Sequence, residues 1–122
     1  MRRCAFVALL SLLLLPASAS AEKPSRHAGR VHSLAPAQGV LVIEEMGAAG
    51  VTALVEVAVR DAQVVRIWRD RAQPWVWRER PVRLHYLAAG TFVVVIGRED
   101  RDGAIAASRV EVPEVDERGA AR

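Results

Sequence analysis

Between Val51 and Val59 the chain reads Val-Thr-Ala-Leu-Val-Glu-Val-Ala-Val, with Val51, Ala53, Val55, Val57 and Val59 at every second position and Thr52 and Glu56 between them. Alternate side chains of a strand point to opposite faces, so this pattern makes one apolar face and one wetter one. Branching at Cβ also suits valine to a pleated backbone. Almost no helical period occurs in the chain after its first twenty-one residues. The constraint is therefore strong: this is a β chain, and its strands must find a common core.

Two further strands are predicted before the valine run, Arg30 to Leu34 and Val40 to Glu45. Ala35-Pro36-Ala37-Gln38-Gly39 lies between them and has the proline and glycine of a turn. Leu41, Ile43 and Val31 are the expected inward set. Two more strands are predicted at Thr91 to Ile96 and Ala104 to Val112, joined by a charged link ending in Asp102-Gly103, a pair suited to a tight hairpin. Val93, Val95, Val110 and Val112 can share an inner face. Phe92, Val94 and Ile96 make the opposite face of the same strand apolar too, so the central segment or another chain is expected to cover it.

Five short strands with a long connection between the third and fourth suggest an all-β fold, a small five-stranded closed barrel of the OB type. The connection reads as irregular or short-helical. Closure would remove the exposed edges that valine-rich strands otherwise present. A two-sheet sandwich is the alternative, and strand count does not separate the two.

The order of Gly29-Arg30-Val31, Gly39-Val40-Leu41-Val42-Ile43, the valine run, Leu87-Ala88-Ala89-Gly90, Thr91 to Gly97, and Ala107-Ser108-Arg109-Val110-Glu111-Val112 resembles exported bacterial OB-like domains of unknown function. In that family a G-x-V strand, a Gly-led hairpin, a Leu-x-x-Gly turn, a valine strand ending in Gly and an A-S-R-[IV]-E strand recur. The resemblance covers nearly all of residues 29–112 and implies a fold and a bacterial envelope. Its motifs are turn glycines and core valines, so it implies no catalytic residue.

The chain departs from that pattern between Arg60 and Arg83. Seven arginines (60, 66, 69, 71, 78, 80 and 83) stand there against Asp61, Asp70 and Glu79, and all three tryptophans, Trp68, Trp75 and Trp77, fall in the same stretch. Pro74 and Pro81 bracket a segment with room for one helical turn or an extended edge. Two readings follow. The tryptophans plug the barrel end or cover Phe92, Val94 and Ile96, with the arginines solvated around them, and economy of packing in a small domain favours this. Alternatively Arg66, Trp68, Arg69, Arg71, Trp75, Trp77, Arg78, Arg80 and Arg83 form a binding patch. Guanidinium forks pair with phosphate or carboxylate oxygens, and indole rings stack on flat or apolar groups.

The start of the chain gives the expected address. Arg2 and Arg3 precede an apolar or small-residue run from Ala5 to Leu15, and Ala19-Ser20-Ala21 supplies small residues before Glu22-Lys23. This is the plan of a cleaved secretory signal peptide; the run is about half the ~20 residues of a spanning helix. The expected organisation is a signal peptide at 1–21, a flexible arm at 22–28, the barrel domain at 29–112 and a disordered tail at 113–122. Cleavage would remove Cys4, the one cysteine, and with it disulfide or thiol chemistry. It would also leave fifteen basic against fourteen acidic residues, so the precursor's pI near 10.0 says little about the mature chain.

Candidate chemistry elsewhere is sparse. Ser25, Ser33 and Ser108 sit in no nucleophile elbow. Glu44 and Glu45 are adjacent on a strand and point to opposite faces. Asp100-Arg101-Asp102-Gly103 lacks the downstream carboxylate of a calcium loop. His27, His32, His85, Met46 and Glu44-Glu45 are the metal candidates, without a Met-x-Met or His-x-His pair. The expectation is an exported, periplasmic or secreted module that is not an enzyme, takes no cofactor and has no catalytic or metal residues. Its expected partner is an anionic glycan, a lipid head group or an acidic protein rather than nucleic acid, with no membrane span after cleavage. A periplasmic copper carrier and a structural accessory packed on a protein partner are the alternatives.

Overall fold

In the computed structural model, residues 23–114 are described; the predicted signal peptide, Glu22 of the predicted arm and residues 115–122 of the predicted tail lie outside them. The described chain is all-β. Its strands are β1 (Lys23–Ala35), β2 (Val40–Met46), β3 (Thr52–Ala58), β4 (Gln63–Arg69), β5 (Trp77–Pro81), β6 (Phe92–Glu99) and β7 (Ile105–Pro113), with single 3-10 turns at Ala48–Gly50 and Leu84–Tyr86.

Seven strands are present where five were expected. The two additional ones, β4 and β5, are an antiparallel hairpin built from the segment expected to be irregular or short-helical, with Val65 opposite Pro81 and Arg69 opposite Trp77. Of the two structures that Pro74 and Pro81 permitted, the extended edge is the one formed. The segment expected to be a flexible arm is also strand: Lys23 to Arg30 pair in continuous antiparallel register with Glu99 to Phe92 of β6. Its more buried positions alternate, but they are Ser25, His27 and Gly29, polar or without a side chain, so the sequence gave no apolar alternation. Pro113 likewise ends β7 instead of opening the tail.

The sheet order is β3-β2-β1-β6-β7-β4-β5, and β3 also pairs in parallel with β7 through Val57↔Ile105 and Ala58↔Ala106. Pairing therefore runs from β1 through β2, β3, β7 and β6 back to β1. After a break at residues 59–62 the chain continues as β4, still parallel to β7, from Gln63↔Arg109 to Ile67↔Pro113. β5 folds back on β4 and is the end strand of the sheet.

The core lies inside this round. Val31, Leu41, Ile43, Val57, Val64, Val93, Val95, Ile105, Val110 and Val112 are buried in one cluster with Val59 and Leu87. Each such side chain removed from water contributes about 1.5–3 kcal/mol. The predicted inward residues of β2, β6 and β7 are all there. On β3 the alternation is correct but its reach is shorter, since Val51 and Ala53 are exposed. β3 meets β7 only at Val57 and Ala58, so its first half runs past the core.

Two strand irregularities bend the sheet. His32 is the extra residue where β1 passes from Val31↔Ile43 to Ser33↔Val42, and Ser108 is the extra residue opposite Ile96-Gly97. Bulges of this kind raise local twist and curvature. Gly29 and Gly97 sit where neighbouring backbone comes closest: a Cβ on Gly29 would overlap the Glu44 carbonyl, and one on Gly97 the Ala106 carbonyl.

The apolar outer face of β6 is only partly covered. Val94 is buried, Ile96 is half-buried and Phe92 is exposed. The cover is not tryptophan packing inside the round. On this face β7 and β4 follow β6, placing Val94, Glu111, Val65 and Pro81 in one cross-strand row. Arg109 of β7 pairs with Glu79 of β5 at 2.5 Å, and the bridge crosses β4 above Val65. Val65 is fully buried.

Candidate functional site

The β4–β5 hairpin carries eight of the nine predicted patch residues, and strand alternation distributes them. Arg66 lies opposite Arg80 and Trp68 opposite Arg78 on one face. Arg69 lies opposite Trp77 on the other, continuous with Ile67 and Glu79. Arg71 and Trp75 belong to the turn between the strands, and Arg83 follows β5. The patch is therefore a two-sided projection with a tip rather than one cleft wall.

The tryptophans are not a plug. Trp75 is 77% exposed and Trp77 is 59% exposed, while Trp68 is half-buried. This overturns the expectation that economy of packing buries them, and the physical reason is topological. The valines, Ile43, Ile105 and Leu41 already fill the round, and the hairpin extends β4 and β5 beyond the last paired residue of β7.

The turn at the tip is braced by one carboxylate. Oδ1 of Asp70 accepts the N–H groups of Ala72 at 2.8 Å and Gln73 at 3.0 Å, while Oδ2 accepts Nε of Arg78 at 2.5 Å. The Asp70 N–H donates to the Val76 carbonyl and the Val76 N–H to that of Gln73. Arg78, and then the Gln73 and Ala72 amides, hold the Asp70 carboxyl below the usual carboxylate range. An aspartate that caps its own turn in this way is the Asx arrangement.

Three arginines are neutralised locally. Arg78 is held by Asp70, Arg66 by Glu114 at 2.7 Å, and Arg109 by Glu79 with Glu111 beside it at 3.8 Å. Hydrogen bonding to Glu114 raises the pKa of Arg66, and hydrogen bonding to Glu79 raises that of Arg109. The Arg66 guanidinium also lies 5.4 Å from the centre of the Trp68 ring, and that of Arg69 lies 4.9 Å from Trp77. Those distances are within reach of a cation–π contact. Arg69, Arg71, Arg80 and Arg83 form no ion pair among the described residues.

Two hollows flank the hairpin. One of about 700 Å³ is lined by Trp68, Arg69, Asp70, Arg71, Pro74, Trp77 and Glu114. A smaller one of about 300 Å³, on the face of the Arg109 bridge, is lined by Ile67, Trp77, Arg78, Glu79, Arg109 and Glu111. Asp70 and Glu114 are site residues that sequence reasoning missed. The signal for Asp70 was its position three residues before Gln73 in a proline-containing turn; Glu114 could be placed only by the parallel register of β7 with β4.

The metal candidates do not converge. His27, expected in a loose arm, is on β1 with its Nδ1 2.9 Å from Glu45 Oε2. His32, His85 and Met46 are exposed. No three His, Cys, Asp or Glu side chains among the described residues are grouped as a metal would need. Glu44 and Glu45 face opposite ways, opposite Leu54 and Ala53 of β3. In the Asp100 turn, Oδ1 accepts the N–H groups of Asp102 and Ala104, so that carboxylate closes the hairpin instead of facing a cation.

Comparison with protein-family models, curated proteins and solved structures finds no match to this chain.

Proposed function

We propose that the chain is an exported, non-catalytic binding module whose site is the β4–β5 hairpin, and that its ligand is anionic with a flat or apolar part. The observation that carries this reading is the exposure of Trp75 and Trp77 on a hairpin where Arg69, Arg71 and Arg80 have no carboxylate partner among the described residues; Arg69 lies against Trp77. Exposed indoles are costly to keep in water unless something covers them, and unpaired guanidiniums favour anionic oxygens. The fold that presents the hairpin is an OB-like barrel with the hairpin added between its third and fourth strands. The round β1–β2–β3–β7–β6 and the parallel pairing of β3 with β7 support that reading.

The structure alters which residues test the proposal. Arg78 braces Asp70, so replacing it would disturb the turn as well as the charge. Arg71 and Arg80 are better choices. A fluorescence titration of the chain with heparin at low salt reads the hairpin directly, because it holds every tryptophan. Binding is expected, with Arg71→Ala plus Arg80→Ala weakening it roughly tenfold or more. No response to heparin or to any other polyanion at low salt would overturn the reading.

A further inference from the structure

Resting on that reading of the hairpin, we infer that its partner is the surface of an anionic phospholipid bilayer, with Trp75 entering the boundary between head groups and acyl chains. Trp75 is more exposed than any other large apolar side chain among the described residues. It is also held there rather than left to fold back, because both oxygens of Asp70 and the paired Asp70 and Val76 backbones brace the turn that carries it. An indole with an apolar body and one N–H donor suits the interfacial region of a bilayer.

The other two rings distinguish a bilayer from a stacked polymer. Strands of bases or sugars need successive open ring faces. Here Arg69 lies over Trp77 and Arg66 over Trp68, which leaves Trp75 as the ring without a guanidinium over it. The arrangement of charge points the same way. A small anion seated in the 700 Å³ hollow would meet the carboxylates of Asp70 and Glu114. Arg69 and Arg80 lie on opposite faces of the hairpin, with Arg71 at the tip. A planar anionic surface laid against the tip meets Arg71 and Arg69 without entering the hollow, while Arg80, three residues back from Trp77, stands roughly 10 Å behind them. Each guanidinium near that surface would strengthen adsorption about fivefold, less as salt rises.

The test uses the full chain with Trp68→Phe and Trp77→Phe, so that emission comes from Trp75 alone. With phosphatidylglycerol vesicles, a blue shift and quenching by lipids brominated on their acyl chains are expected; phosphatidylcholine vesicles should give neither. The readout is local to Trp75, so the apolar run at residues 5–15 does not contribute to it. With residues 1–21 removed from the otherwise unaltered chain and from its variant, so that the apolar run cannot hold either to lipid, Trp75→Ala should lower partition into phosphatidylglycerol vesicles about tenfold or more, consistent with loss of a buried aromatic. Far-UV circular dichroism should be unchanged, since the residue is exposed.

Heparin binding without quenching by brominated phosphatidylglycerol would overturn the bilayer inference and leave the anion site standing. Vesicle binding that Trp75→Ala does not weaken would overturn it as well. Failure to bind both vesicles and heparin would overturn the inference and the reading on which it rests.

Discussion

At the scale of single residues, two positions carry more consequence than their chemistry suggests. Ala49 has φ of 60° and Gly50 of 72°, so the turn from β2 to β3 holds two successive left-handed residues. The Val51 N–H reaches the Ala48 carbonyl across them. That is the geometry of a type I′ hairpin turn, in which Asn-Gly is favoured because asparagine tolerates the left-handed region better than alanine. Ala49→Asn should therefore stabilise the fold by about 0.5–1 kcal/mol, measured as a higher urea midpoint at unchanged slope. A lower midpoint would show that the turn is not strained. Gly97 is the opposite case. Its missing Cβ leaves space filled by the Ala106 carbonyl and Ala107 Cα beside the Ser108 bulge. Gly97→Ala must push β6 away from β7 and should cost about 3 kcal/mol or more. A urea midpoint close to that of the unaltered chain would contradict this close approach. In the sequence Gly97 reads only as a glycine ending a valine run, because close approach between strands depends on register.

At the scale of elements, legibility followed the source of each strand's stability. β2, β3, β6 and β7 bury alternate side chains, and their valines announce them. The first half of β1 has Lys23, Pro24, Ser25 and Arg26, and β5 has five exposed residues, so neither carries an amphipathic period. In β4 the neighbours Val64 and Val65 are both buried, one in the core and the other under the Arg109–Glu79 bridge, which breaks a period of two. The charged composition of the site was legible, but its division between two faces and its brace were not. That brace gives the hairpin a pH dependence. The Asp70 carboxyl has a lowered pKa in the folded chain against about 3.9 when unfolded. Its contribution is therefore complete above the unfolded value and is lost as pH falls through the lower folded value. Below about pH 4 the environment of Trp75 and Trp77 should change, read by near-UV circular dichroism, with a smaller change in Asp70→Ala. An identical acid profile in that variant would remove Asp70 from the account.

At the scale of the whole molecule, charge is segregated along β7. The β6–β7 turn with Asp100, Arg101 and Asp102 precedes its first residue, whereas the tip of the hairpin, with Arg69 and Arg71, extends beyond its last, Pro113. A nine-residue strand spans roughly 25–30 Å at about 3.3 Å per residue, more than two Debye lengths at physiological salt. The two ends should therefore act independently on an approaching anion. Residues 22–122 carry fifteen basic and fourteen acidic side chains, so attraction by those residues as a whole is weak and the proposed anion binding rests on the hairpin. With Arg69, Arg71 and Arg80 as the hairpin's cations without a carboxylate partner among the described residues, the affinity for a flexible single-stranded polyanion should fall with salt at a log–log slope of about −2, from roughly −0.7 per contact. Arg71→Ala should make that slope shallower by about 0.7, while Arg101→Ala should leave both slope and affinity unchanged. Equal effects of the two substitutions would mean that the anion senses the chain's total charge and that the hairpin is not a site.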